Sequence, residues 1–134
     1  MIRGTTARFK FKLPCPKGDL IWAKIKFWQP NNPGERLPIY KTLNDCSGID
    51  DVSELCISLT AEETVRFSDK YKAKIELLAY HNGVVFGNKD TLVTVYPKSD
   101  DITSDIPILP EETNDGFIIL NGYEISDEGG SVNG

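Results

Sequence analysis

Strict alternation of apolar and polar residues, with a period of two, constrains this chain more than any other feature. In Ala7-Arg8-Phe9-Lys10-Phe11-Lys12-Leu13 the apolar side chains fall on one side and the cations on the other. Successive side chains of an extended strand point to opposite faces, so this is the signature of a half-buried β-strand. Pro14-Cys15-Pro16-Lys17-Gly18-Asp19 ends it, because proline offers no N–H to a ladder and Gly-Asp suits a turn. The alternation returns over residues 20–29, with Ile21, Ala23, Ile25 and Phe27 on one face and Trp22, Lys24, Lys26 and Trp28 on the other. It returns again over 53–59 and 72–80, which place Leu55, Ile57 and Leu59, and then Ala73, Ile75, Leu77 and Ala79, inward.

Shorter strands are expected at 38–43, 84–86 and 91–96. Pro30-Asn31-Asn32-Pro33-Gly34 is a turn cluster, His81-Asn82-Gly83 a hairpin loop, and Gly87-Asn88 a bulge or bend. Thr60-Ala61-Glu62-Glu63 has the form of a capping box opening a helix of one or two turns that ends near Ser68. Together these make about seven short strands over residues 1–96, the spacing of a sandwich or small barrel. The predicted fold is all-β, an Ig-like antiparallel β-sandwich of about seven strands with an extended C-terminal arm. A length of 134 residues suits one such core.

The character changes after Tyr96. Residues 1–96 carry 14 basic and 11 acidic side chains, a balance of +3. Residues 97–134 carry one basic and nine acidic side chains, a balance of −8, which brings the chain to its net −5. A basic body and an acidic arm attract each other, within the chain or between copies. The arm contains the proline-broken apolar run Ile106-Pro107-Ile108-Leu109-Pro110 and, over 117–125, a predicted hairpin turning at Asn121-Gly122. Isolated two-stranded hairpins are marginal in water, so this one is expected to lie on the body or on a neighbour.

Signals for catalysis are weak. His81 is the single histidine and falls in a turn, so a Ser-His or Cys-His nucleophile would have to use it. Cys15, Cys46 and Cys56 fit no zinc spacing and read as reduced thiols. Asp50-Asp51 and Asp100-Asp101 lack the spacing of a calcium loop. No cofactor, metal or catalytic residue is therefore expected. No apolar run is long enough for a membrane span, and the opening residues lack the apolar stretch of a secretory leader. Arg8, Lys10 and Lys12 beside Trp22, Lys24, Lys26 and Trp28 would make a stacking platform for single-stranded nucleic acid if their strands were neighbours. The mildly basic body and the acidic arm, which would compete for the same surface, argue against that partner. Protein binding through Trp22 and Trp28 fits better, since large exposed aromatics are characteristic of binding surfaces.

The opening Met1-Ile2-Arg3-Gly4-Thr5-Thr6-Ala7 and Phe9-Lys10-Phe11-Lys12-Leu13-Pro14 resemble a group of short structural proteins of phages and prophages of Firmicutes-type bacteria, which begin Met-Ile-Arg-Gly-Thr-Thr-Pro. The resemblance continues through Lys41-Thr42-Leu43-Asn44-Asp45-Cys46, Ile57-Ser58-Leu59-Thr60-Ala61-Glu62-Glu63-Thr64 and Lys74-Ile75-Glu76-Leu77, covering roughly residues 1–96. Ala7 stands where the group has proline, and the arm differs from the short endings of the group. The resemblance implies a non-catalytic virion protein of head or tail, made in the host cytoplasm, whose partners are other virion proteins and copies of itself. The expected docking residues are Trp22, Trp28, Ile106, Ile108, Leu109, Phe117, Ile118, Ile119, Leu120 and Tyr123, with Phe117 to Leu120 pairing onto a neighbour's sheet edge. The alternative is an adhesin-type carbohydrate-binding module of a fibre, with Trp22 and Trp28 stacking on a glycan.

Overall fold

The computed structural model of the protein describes residues 1–33, 38–88, 91–97 and 117–124, the last four of these by backbone alone. The strands are β1 (Ala7–Lys12), β2 (Trp22–Trp28), β3 (Ile39–Thr42), β4 (Glu54–Leu59), β5 (Ala73–His81), β6 (Val84–Asn88), β7 (Thr91–Val93) and β8 (Phe117–Glu124). One short α-helix among the described residues, α1 (Ala61–Thr64), separates β4 from β5. The fold is all-β with two sheets. Along the ladder the order is β3-β2-β5-β6-β8-β1-β4, with β7 also on β5.

The alternation read from the sequence decides the core. Phe9 and Phe11 of β1, Ile25 and Phe27 of β2, Leu55 and Leu59 of β4, and Ile75 and Leu77 of β5 are all buried. Phe9 meets Phe27 with ring centroids 5.3 Å apart and planes tilted by 49°, so the first two strands touch across the core without being neighbours in a sheet. Ile21, expected inward, is instead exposed: β2 begins one residue later, and Leu20 is the side chain that turns into the core.

β8 overturns the predicted hairpin at 117–125. The segment is one continuous strand. Residues Phe117 to Asn121 pair in parallel with Arg8 to Lys12 of β1, and Gly122 to Glu124 pair antiparallel with Asn88 to Phe86 of β6. Asn121-Gly122 is therefore where the strand leaves one sheet for the other, not where it reverses. Glycine suits such a bend as well as it suits a turn. The preference has a physical cause. Ile118 and Leu120 lie opposite Phe9 and Phe11 and are buried with them, which stabilises by roughly 1.5–3 kcal/mol per side chain. A hairpin on its own would have left both in water. The all-antiparallel expectation also fails at this strand pairing, and at the parallel bridge between Ile2 and Tyr96.

Two polar side chains, Gln29 and Asn88, hold loops and strand ends in place. Gln29 is fully buried, and its amide nitrogen donates to the carbonyls of Ser68 (2.7 Å) and Tyr71 (2.8 Å). Its amide oxygen accepts from the Ser68 N–H (2.9 Å) and from Asn32 (3.0 Å). Asn88 ends β6 just past the last β5–β6 pair, Leu78 with Gly87, and β7 pairs with β5 from Ile75 with Thr91. Its side chain accepts from the Leu77 N–H (2.6 Å) and donates to the Ile75 carbonyl (2.7 Å), linking the two pairings. The expected Asn82-Gly83 turn is present, both residues with positive φ (51° and 81°), joining β5 to β6.

The capping box is also present. The Thr60 hydroxyl accepts from the Glu63 N–H (3.1 Å), and the Glu63 carboxylate accepts from the Thr60 N–H (2.9 Å) and from Lys41 Nζ (2.8 Å). Burial opposes the charge on Glu63, but the bonds from Lys41 and the Thr60 N–H outweigh it and hold the carboxyl below its ordinary range. A carboxyl depressed by folding contributes stability above its unfolded value, and that stability is lost as pH falls through the folded one. Glu63→Gln should therefore lose about 1 kcal/mol at neutral pH, with wild type and variant converging below about pH 4. Urea melts across that range measure it. In the same assay Ile118→Ala and Leu120→Ala should each cost about 2–5 kcal/mol, while Ile119→Ala, whose side chain is only half-buried, should cost far less.

A candidate docking face on the outer side of one sheet

The strands β3, β2, β5 and β7 present their outward residues as one grid. Along β2 these are Trp22, Lys24, Lys26 and Trp28, and on β5 their partners are Tyr80, Leu78, Glu76 and Lys74. On β3, Tyr40 lies opposite Lys26 and Thr42 opposite Lys24. On β7, Leu92 lies opposite Lys74. Tyr40 (56% exposed), Leu92 (53%), Leu78 (44%) and Trp22 (42%) leave much of this grid apolar and open to solvent.

The two tryptophans predicted as binding residues are both on this face, at opposite ends of β2, and behave differently. Trp22 is exposed and lies parallel to Tyr80, with centroids 5.9 Å apart and planes within 6°. Trp28 is half-buried under its neighbours. Lys26 Nζ stands 3.7 Å from the centre of its ring, and its indole N–H donates to Glu76 (3.0 Å). Lys24, between them, has no ion-pair or hydrogen-bond partner among the described residues. Two shallow depressions adjoin it. One is lined by Lys24, Lys26, Tyr40, Glu76, Leu78 and Asn88. The other is lined by Ile21, Trp22, Lys24, Thr42, Leu43 and Asn44.

The other predicted binding residues are not part of this face. Ile106, Ile108 and Leu109 lie outside the described residues, as does the side chain of Tyr123. Ile118 and Leu120 are core residues, which removes them from any contact with a neighbour in this fold. Phe117 and Ile119 are half-buried on the outer side of the other sheet. There Arg8 and Lys10 each stand 4.5 Å from the Phe117 ring centre, and Lys10 and Lys12 approach Glu54 at 3.7 and 2.6 Å. The cations of β1 are thus occupied, and β5, β6 and β8 separate them from the tryptophan face, so the two do not form one stacking platform. Tyr40, Leu78 and Leu92 were missed by the sequence reading. Leu78 had a signal: it is apolar at an outward position of β5, where the alternation calls for a polar residue.

His81 lies on a different part of the surface, beside Pro14, Cys15, Val84 and Phe86. Its Nδ1 donates to the Asp19 carbonyl (3.0 Å). Burial, and then Asp19, push the neighbouring Cys15 thiol above its ordinary pKa, the opposite of what an activated nucleophile needs. Cys46 is pushed up to about 12, by burial first and then by Asp45, and Cys56 is raised chiefly by burial. Among the described residues no three histidine, cysteine or acidic side chains converge on a point where a metal ion would sit, and no helix is long and apolar enough to cross a membrane. Comparison of the chain with family models, with curated proteins and with solved structures gives no match.

All three thiols should resist alkylation in the native protein at pH 8, Cys46 most of all, and all three should react in denaturant. Mass spectrometry of iodoacetamide-treated protein reads this directly. Fast native labelling of Cys46 would contradict its assigned environment.

Proposed function

We propose that this protein is a non-catalytic virion structural or accessory protein, which docks on capsid or tail subunits through the outer face of the β3-β2-β5-β7 sheet. The observation that carries the reading is the exposure of Trp22, Tyr40 and Leu78 around Lys24, which has no partner among the described residues, with Leu92 farther along the same face beside Lys74. Contiguous apolar area of this kind on a sheet face marks an interaction surface more often than scattered exposed residues do. The phage resemblance of residues 1–96 supports the virion setting. Two sheets that meet through their apolar inner sides, with mostly antiparallel neighbours among the described strands, are compatible with an Ig-like sandwich as the frame.

The docking surface in this reading differs from the one expected at first, because Ile118 and Leu120 serve the protein's own core. Tyr40→Asp with Leu78→Asp puts two charges into the face without touching a buried residue. The double variant should keep the wild-type melting curve to within about 1 kcal/mol. It should be depleted at least roughly tenfold from purified particles, a loss of about 1.4 kcal/mol in binding. Incorporation at the wild-type level would refute the docking face.

A second reading, glycan binding by a fibre module, draws on the depressions beside Lys24, where Trp22 adjoins Thr42 and Asn44, and Tyr40 adjoins Glu76. Binding on a glycan array that disappears in Trp22→Ala and Tyr40→Ala would favour it over docking on protein.

A further inference from the structure

We infer that the face around Lys24 receives the segment Asp105-Ile106-Pro107-Ile108-Leu109-Pro110-Glu111-Glu112 of a second copy of this chain, so that copies join head to tail. The inference rests on the docking reading above and names the occupant of that face.

The chemistry of the two partners matches. The segment has an aliphatic centre, acids at both ends and no basic residue. The depression beside Lys24 has an apolar floor at Leu78, a tyrosine at one side, and Lys24 and Lys26 along another. Of these two cations Lys26 leans on Trp28, and Lys24 has no partner among the described residues. The acid nearest them, Glu76, already accepts from the Trp28 indole. The surface therefore offers apolar area and an unmatched positive charge together, and the segment offers the complement. The same complementarity holds for the whole chain, whose first 96 residues carry +3 and whose remainder carries −8.

The topology favours a neighbour's segment over the chain's own. On one side the segment is tied to Tyr96, which bridges to Ile2, and on the other to Phe117, which lies opposite Arg8. The second tie, only five residues after Glu112, lies on β8 beside β1. The face is centred on β2, with β5 and β6 between. A second copy lying alongside brings one molecule's segment to the other's face without an excursion across two strands and back. Because donor and acceptor surfaces differ, the contact is heterologous, and it propagates into rings or open chains instead of stopping at a two-fold dimer.

Sedimentation velocity of the full chain, over a range of concentrations at low and high salt, tests this. Wild type should self-associate beyond a dimer, more weakly at high salt, since exposed charges are screened there. Lys24→Glu and the pair Ile106→Ser with Leu109→Ser should each weaken association at least roughly tenfold. Lys24→Gln should weaken it less and lose the salt dependence, which guards against a variant that fails only through misfolding. The deciding sample is a mixture. Lys24→Glu retains its segment and the serine variant retains its face, so the two should form a one-to-one complex that neither forms alone. If both variants are monomeric and the mixture stays so, the segment acts on its own chain, and the second-copy assignment is overturned. If the variants associate like wild type, or wild type is monomeric throughout, the occupant is also wrong. In those cases particle incorporation of the Tyr40→Asp, Leu78→Asp variant still decides separately whether the face docks on other subunits.

Discussion

The contact on which the rest of the structure depends is the insertion of Ile118 and Leu120 between the two sheets. β8 pairs with β1 along its first half and with β6 along its second. Without it, β1 and β6 would both present unpaired backbone, and Phe9 and Phe11 would lose the side chains opposite them. The last described strand thus closes the core that the first one opens. This also redirects the functional argument. Ile118 and Leu120, which looked free to bind a neighbour, are committed to the protein's own interior, whereas β2, β3, β5 and β7 carry exposed Trp22, Tyr40, Leu78 and Leu92.

A second organising contact involves the stretch that opens the chain. Arg3 Nη2 donates to the Val65 carbonyl (2.9 Å). The Thr64 hydroxyl accepts from the Gly4 N–H (3.0 Å) and donates to the Thr5 carbonyl (2.7 Å). Thr64 is fully buried, and Gly4 has a φ of 78°, a conformation costly for other residues. Two distant stretches, Met1 to Ala7 and Ile57 to Thr64, are therefore packed against each other, and their residues have a structural reason to be what they are.

Much of the architecture was legible because one physical rule, the opposed faces of a strand, operates residue by residue. The inward sets of β1, β4 and β5, the Asn82-Gly83 turn and the Thr60–Glu63 cap all follow from local chemistry. What was not legible depends on distant partners. Asn121-Gly122 has the same local preference in a hairpin as at a bend between sheets, and only the vacancy beside β1 distinguishes the two. Gly87-Asn88 reads as a bulge or bend, but the bonds from Asn88 to Ile75 and Leu77 show only once β5 is placed beside it. The docking face was half legible. Trp22 stood out by type, whereas Tyr40 lies on a strand of four residues whose partner cannot be known from the sequence, and Leu92 lies on one of three.

The placement of β8 is the central claim, because both the closed core and the reassignment of the binding surface follow from it. Amide hydrogen exchange on the full chain, read by mass spectrometry, tests it most directly. If β8 completes the sheets, the amides of Ile118 to Leu120 exchange as slowly as those of Phe9 to Phe11 and open only with the whole fold. If they exchange at the rate of an unstructured peptide while β1 stays protected, the body holds together without β8, and the account is wrong.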